Sequence, residues 1–128
     1  MKKHLLILGA SGQLGSALSN TSLWPKDYKI TALTHAQLDI RDSTALQCLF
    51  KEKGPFQAVI NASVFMPVDL CEKFPELGFQ TNGFSLLPLA TLCKMHETLL
   101  VHFSTDYVFD GLKKTPYTQL NSNYGFNW

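Results

Sequence analysis

The stretch Leu5-Leu6-Ile7-Leu8 runs straight into Gly9-Ala10-Ser11-Gly12-Gln13-Leu14-Gly15. An unbroken apolar run of this kind reads as a strand covered on both faces, at the centre of a sheet flanked by helices. Glycines at 9, 12 and 15 follow that strand and open a helical stretch from Gln13 to Ser19, the setting a dinucleotide-binding loop requires. Gly9 permits the tight turn, Gly12 lets the backbone approach a pyrophosphate, and Gly15 lets the helix pack close to the strand. The helix start then offers free N–H groups and a partial positive charge to the phosphates. A glycine-rich turn that binds nothing has the same spacing, so the loop needs support from the rest of the chain.

The pair Lys2-Lys3 ahead of the apolar run imitates a secretory signal, but Leu5–Leu8 is too short for the apolar region and glycines follow at once. No stretch is long enough to cross a membrane.

The remaining pattern alternates strand and helix. Residues 28–33, YKITAL, alternate as a second strand. Asp42 is a good N-cap for a helix over 43–53 with Leu46, Leu49 and Phe50 on one face, and Gly54 stops it. Residues 57–63, QAVINAS, read as a third strand. Pro75 suits the first turn of a long helix to about Met95, and Pro88 inside it should either kink that helix or mark a different boundary. Residues 99–104, LLVHFS, read as a fourth strand, and the chain from Thr105 is loop-like. This order predicts an α/β fold, a Rossmann-like parallel sheet with flanking helices, in a single NAD(P)-binding domain over residues 1–128. A doubly wound nucleotide-binding sheet has about six strands. The domain is therefore expected to be incomplete, with its C-terminal half and substrate region absent, and to be marginal, aggregation-prone or dependent on a partner or homodimer for stability.

Composition narrows the function classes. The 128 residues are 45% hydrophobic and 16% charged with a net charge of +1, values of a globular domain. No basic run exceeds a lysine pair, so neither nucleic acid nor a membrane surface is an expected partner. Cys48, Cys71 and Cys93 are odd in number and lack metal or CxxC spacing, which points to reduced thiols in a cytoplasmic protein. Cys48 and Cys93 fall in predicted helices, where a small buried hydrophobe is the expected role.

Three further places bear on chemistry. The second strand ends in Leu33-Thr34-His35, with no carboxylate to repel an adenosine 2′-phosphate, so NADPH is open as a cofactor. Asp39 is the next acid and a candidate for the adenine side. Arg41 is a candidate for a 2′-phosphate or an ordinary surface arginine. Asn61-Ala62-Ser63 ends the third strand with small residues that leave room for a cofactor ribose, or forms a plain Asx turn. Residues 104–111, STDYVFDG, follow the fourth strand, and the Thr105 hydroxyl is well placed to bind a substrate oxygen. His102, Ser104 and Asp106 alternate on one strand and do not make a hydrolase triad by themselves.

Taken together, ILGASGQLGSAL, LDIRD, AVINAS, VDLCEKFPELGFQTN and LLVHFSTDYVFDG resemble the extended short-chain dehydrogenase/reductase family, in its dTDP-4-dehydrorhamnose reductase branch. The resemblance implies reduction of a 4-keto-6-deoxy nucleotide sugar with NADPH or NADH. It places Gly9, Ser11, Gly12, Gln13, Leu14 and Gly15 in the cofactor loop, Asp39 and Ile40 beside the adenine, Ala62 and Ser63 along the cofactor, and Asn82 near the active site. Thr105 matches the catalytic Ser/Thr and Tyr124 the catalytic tyrosine of Y-x-x-x-K. In that motif the tyrosine protonates the ketone, and the lysine lowers its pKa. Here Trp128 occupies the lysine position, and indole carries no charge to shift a phenol from about 10. Little or no turnover is expected from these residues alone. Two other readings share the resemblance: a non-catalytic regulatory protein similar to the methionine adenosyltransferase regulatory subunit, and a sugar-nucleotide epimerase or dehydratase.

Overall fold

The computed structural model describes residues 2–65 and 67–120. The strands are β1 (Lys3–Leu8), β2 (Tyr28–Leu33), β3 (Ala58–Asn61) and β4 (Leu99–His102). The helices are α1 (Gln13–Leu18), α2 (Ser43–Lys53), α3 (Val68–Lys73), α4 (Pro75–Gly78) and α5 (Leu86–Met95). All four strands are parallel, in the order β2-β1-β3-β4. Ile7 lies between Ala32 on one side and Ile60 on the other, so β1 is interior as its apolar run predicts. The side chains of Leu6 and Leu8 pack with Val59 of β3, Leu46 and Phe50 of α2, and Leu89, Leu92 and Cys93 of α5. Leu5 and Ile7 are also buried, and strand alternation turns them to the opposite face.

Helix α2 starts where the sequence says: Asp42 Oδ1 accepts from the Ala45 N–H at 2.9 Å. Leu46 and Phe50 are buried, but Cys48 is exposed, contrary to expectation. Two residues along a helix is about 200° of rotation, so Cys48 faces away from the stripe that Leu46 and Phe50 define. Cys93 does take the buried role, and burial pushes its thiol up to about 11.

The long helix expected from Pro75 to Met95 is three pieces. Helix α4 gives way to a π turn over Phe79–Phe84, in which the Ser85 N–H donates to the Gln80 carbonyl, and α5 restarts at Leu86. Pro88 thus falls in a first turn, where its missing N–H forfeits no helical bond. The third and fourth strands are shorter than predicted, ending at Asn61 and His102. Ala62, Ser63, Phe103 and Ser104 leave the sheet and become loop at its carboxyl end.

Strand β4 is a sheet edge among the described residues, with Leu99 and Val101 exposed on it and Phe103 exposed just beyond its end. Phe84, Leu87 and Met95 are more than 70% exposed along the π turn and α5. These are the uncovered apolar surfaces that the sequence predicts.

Candidate functional site

The strand order reverses direction between β1 and β3. From β1 the chain goes outward to β2, then crosses back to β3 and on to β4. Open α/β sheets take ligands in a crevice at such a reversal, beyond the carboxyl ends of the strands. The glycine loop and Ala62-Ser63 both emerge there.

Their contact is tight. Gly9 has φ +80, and a Cβ built on it would stand 2.7 Å from the Ala62 carbonyl and the Ser63 nitrogen. Both constraints demand glycine, one by conformation and one by space. A Cβ on Gly15 would stand 2.0 Å from the Gly9 carbonyl oxygen, so α1 rests directly on the turn. Gly12 is different. Its backbone is extended (φ −76, ψ 170) and a Cβ there would meet only the Gly9 carbonyl oxygen, at 3.4 Å. Among the described residues nothing requires a glycine at 12.

Ser11, Gly12, Gln13 and Leu14 are exposed on the loop, and Gly15 is buried beneath it. Helix α1 has only six residues, so its dipole is small. Gly9 and Ala10 both donate to the Leu33 carbonyl, which ties the loop to the end of β2.

Beyond β2, two short turns form the exit loop. Gln37 and Leu38 donate to the Thr34 carbonyl, Gln37 Oε1 accepts from Thr34, and the Asp42 N–H donates to the Asp39 carbonyl. Arg41 Nε donates to both Asp39 oxygens at 2.9 and 3.0 Å, Nη2 donates to the second, and the Arg41 N–H reaches the first. Hydrogen bonding from the Arg41 side chain holds the Asp39 carboxyl at about 2. Ile40 is 3% exposed and belongs to the core, so it supports this loop from beneath.

The wall from β3 is pinned twice. Asn61 is buried; its Oδ1 accepts from the Ser63 N–H at 3.0 Å, and its Nδ2 lies 3.3 Å from His102 Nδ1 on β4. The Asx turn is thus present, and it shapes the crevice. Further on, Asn82 in the π turn accepts from the Phe65 N–H at 2.7 Å and donates to the Phe65 carbonyl at 3.0 Å. π turns recur at functional sites because they turn a side chain out of helical register.

After β4, Thr105 is exposed and caps a 3-10 turn over Asp106–Val108: its Oγ1 accepts from the Tyr107 N–H and donates toward Asp106 Oδ1. His102 Nδ1 lies against Asn61 Nδ2, and Asp106 Oδ1 accepts from the Thr105 hydroxyl. The sequence reading missed one clamp. Phe109 stacks on Tyr117 with ring centroids 4.3 Å apart, and the Tyr117 hydroxyl donates to Asp110 Oδ1 at 2.9 Å. No local spacing rule connects residues seven apart in a loop. Tyr124 and Trp128 lie outside the described residues. A groove between α2 and α5, lined by Gln47, Leu87, Pro88, Thr91 and Met95, shares no residue with these loops. Among the described residues no helix is long and apolar enough to cross a membrane, and no cluster of His, Cys, Asp and Glu is arranged to hold a metal ion.

Several solved proteins that share this arrangement are dTDP-4-dehydrorhamnose reductases. The crystal structure of dTDP-4-dehydrorhamnose reductase from Bacillus anthracis in complex with NADP superimposes with a TM-score of 0.90 at 31% identity, over 99% of this chain and 45% of that one. An orthologue from Clostridium acetobutylicum gives 0.87 at 34%, over 95% and 43%. In sequence, dTDP-4-dehydrorhamnose reductase of Aggregatibacter actinomycetemcomitans is 33% identical over 91% of this chain and 39% of its own length. The chain thus spans about two fifths of the relatives it matches. A heptose-6-epimerase from Helicobacter pylori, at 20% identity and a TM-score of 0.80, shares the fold alone. Residues 2–124 match the RmlD substrate binding domain, and with that match over nearly its whole length the chain belongs to the RmlD family.

Proposed function

We propose that this chain supplies the dinucleotide-binding part of an NADPH-dependent reductase acting on a 4-keto-6-deoxy nucleotide sugar, as in dTDP-L-rhamnose formation. The observation that carries the reading is the glycine loop at the β1/β3 reversal, where Gly9 and Gly15 are fixed by packing and Gly12 is left without an internal reason to be glycine. That is a cradle a Cβ would fill and a pyrophosphate would use. In this reading Ser11, Gly12, Gln13 and Leu14 face the phosphates, Ala62 and Ser63 line the cofactor, and Asp39 lies toward the adenine. NADPH, when bound, supplies the hydride for reduction of a sugar ketone. Thr105 offers a hydroxyl that orients the ketone oxygen, and Tyr124 is assigned the proton donor. Trp128 stands four residues after Tyr124, where the resemblance expects a lysine, and low turnover by this chain is proposed on that ground.

The test has two arms. Titration with NADPH and NADH measures binding, and NADPH oxidation with dTDP-4-dehydrorhamnose measures turnover. Binding with little turnover supports the reading. Absence of binding to either nucleotide overturns it, and brisk oxidation overturns the role given to position 128.

A further inference from the structure

We propose that Asp39 sets the preference between NADPH and NADH by occupying Arg41. The inference rests on the dinucleotide reading above and concerns only the adenosine end of that site.

A sheet of this type distinguishes the two nucleotides at the exit of β2. A carboxylate there binds a ribose 2′-hydroxyl and repels a 2′-phosphate, while a nearby arginine attracts the phosphate. Here the exit reads Leu33-Thr34-His35 and supplies no carboxylate. The loop then turns at Thr34–Leu38 and again at Asp39–Asp42. His35 is near enough for its charge to act on the Asp39 carboxylate.

The loop therefore holds two acids and one guanidinium; Asp42 caps α2, and Asp39 and Arg41 are spent on each other. Arg41 commits Nε and Nη2 to Asp39, and its own main-chain N–H closes a third bond to the same carboxylate. The closed pair is neutral. It neither repels a 2′-phosphate as a free carboxylate would nor attracts it as a free guanidinium would. Both side chains remain about one-third exposed, 37% for Arg41 and 31% for Asp39, so a phosphate can reach the guanidinium once the carboxylate is neutralised. An amide at 39 keeps an oxygen for the Arg41 main-chain N–H while removing the charge that holds the guanidinium.

The probes are 2′-phospho-ADP-ribose and ADP-ribose, which report the adenosine end without the nicotinamide. Both are titrated calorimetrically into the full chain, its Asp39→Asn and Arg41→Ala variants, and the double variant. Losses of adenine contact at Asp39 affect both probes equally and cancel in the ratio of affinities. Freeing a charge-assisted donor should raise the ratio for the 2′-phosphate about tenfold in Asp39→Asn. Arg41→Ala alone should change it by less than about twofold, and the double variant should return to the wild-type ratio. An equal rise with and without Arg41, or no rise while both probes bind, overturns the inference and leaves the dinucleotide reading standing. Failure of both probes to bind any of the four proteins overturns both.

Discussion

Gly15 sits so close to Gly9 that a Cβ on the helix glycine would stand 2.0 Å from the turn's carbonyl oxygen. The first turn of α1 and the turn after β1 are in backbone-to-backbone contact, and no rotamer change relieves an added methyl there. Gly15→Ala is expected to cost about 2–4 kcal/mol, the range of overpacking and strained-backbone substitutions. Urea unfolding followed by circular dichroism measures it. A loss under about 0.5 kcal/mol would show that the loop yields more easily than its contacts indicate.

Gly12→Ala should separate binding from folding. The backbone at 12 is extended and the added Cβ meets only the Gly9 carbonyl oxygen at 3.4 Å. Stability should change by less than about 1 kcal/mol. NADPH affinity should fall at least about tenfold, because the methyl takes the space of the approaching phosphate. Parallel melting curves and nucleotide titrations check both halves, and a large stability loss with affinity retained is the contrary result.

Asp42 caps α2 through a 2.9 Å bond to the Ala45 N–H. Asp42→Ala should destabilise the chain by about 1 kcal/mol, and Asp42→Asn should recover most of it. Equal losses in the two variants would put the effect on charge instead of capping.

Asp39 gives a pH signature of known sign. Its folded carboxyl is held at about 2 by Arg41, below the usual value of about 3.9. A depressed folded pKa stabilises above the unfolded value, and that stabilisation is lost as pH falls through the folded one. With the side chains 31% and 37% exposed, solvent screening limits the pair to about 1 kcal/mol or less. Wild type should exceed Asp39→Asn by that amount at neutral pH, and the gap should close between about pH 4 and pH 2. A gap that persists at the acid end would assign it to packing.

Strand β4 carries Leu99, Leu100, Val101 and His102 with no lysine or proline to guard the edge. Leu99 is 64% exposed, so Leu99→Lys should suppress self-association at little cost in stability, by placing a charge where another strand would pair. Light scattering against concentration reads the outcome, and unchanged association would move the contact to Phe84, Leu87 and Met95.

Much of this was legible in the chain itself. The Leu5–Leu8 run defined an interior strand because only burial on both faces tolerates four apolar residues in succession. Asp42 announced α2 because capping is a local bond between residues three apart. The glycine spacing marked the loop, since steric demands on a tight turn are local too. Tertiary structure decided what depends on distant partners. Gly9 must be glycine partly because Ala62 and Ser63 press on it, Asn82 in the π turn reaches Phe65 seventeen residues away, and Tyr117 closes on Asp110 across a loop without periodicity. Cys48 and Pro88 turn on helix phase and helix boundaries, which packing sets. A sequence encodes periodicity and caps directly because these are short-range energies. It encodes the meeting of two loops only through the sheet that brings β1 and β3 together.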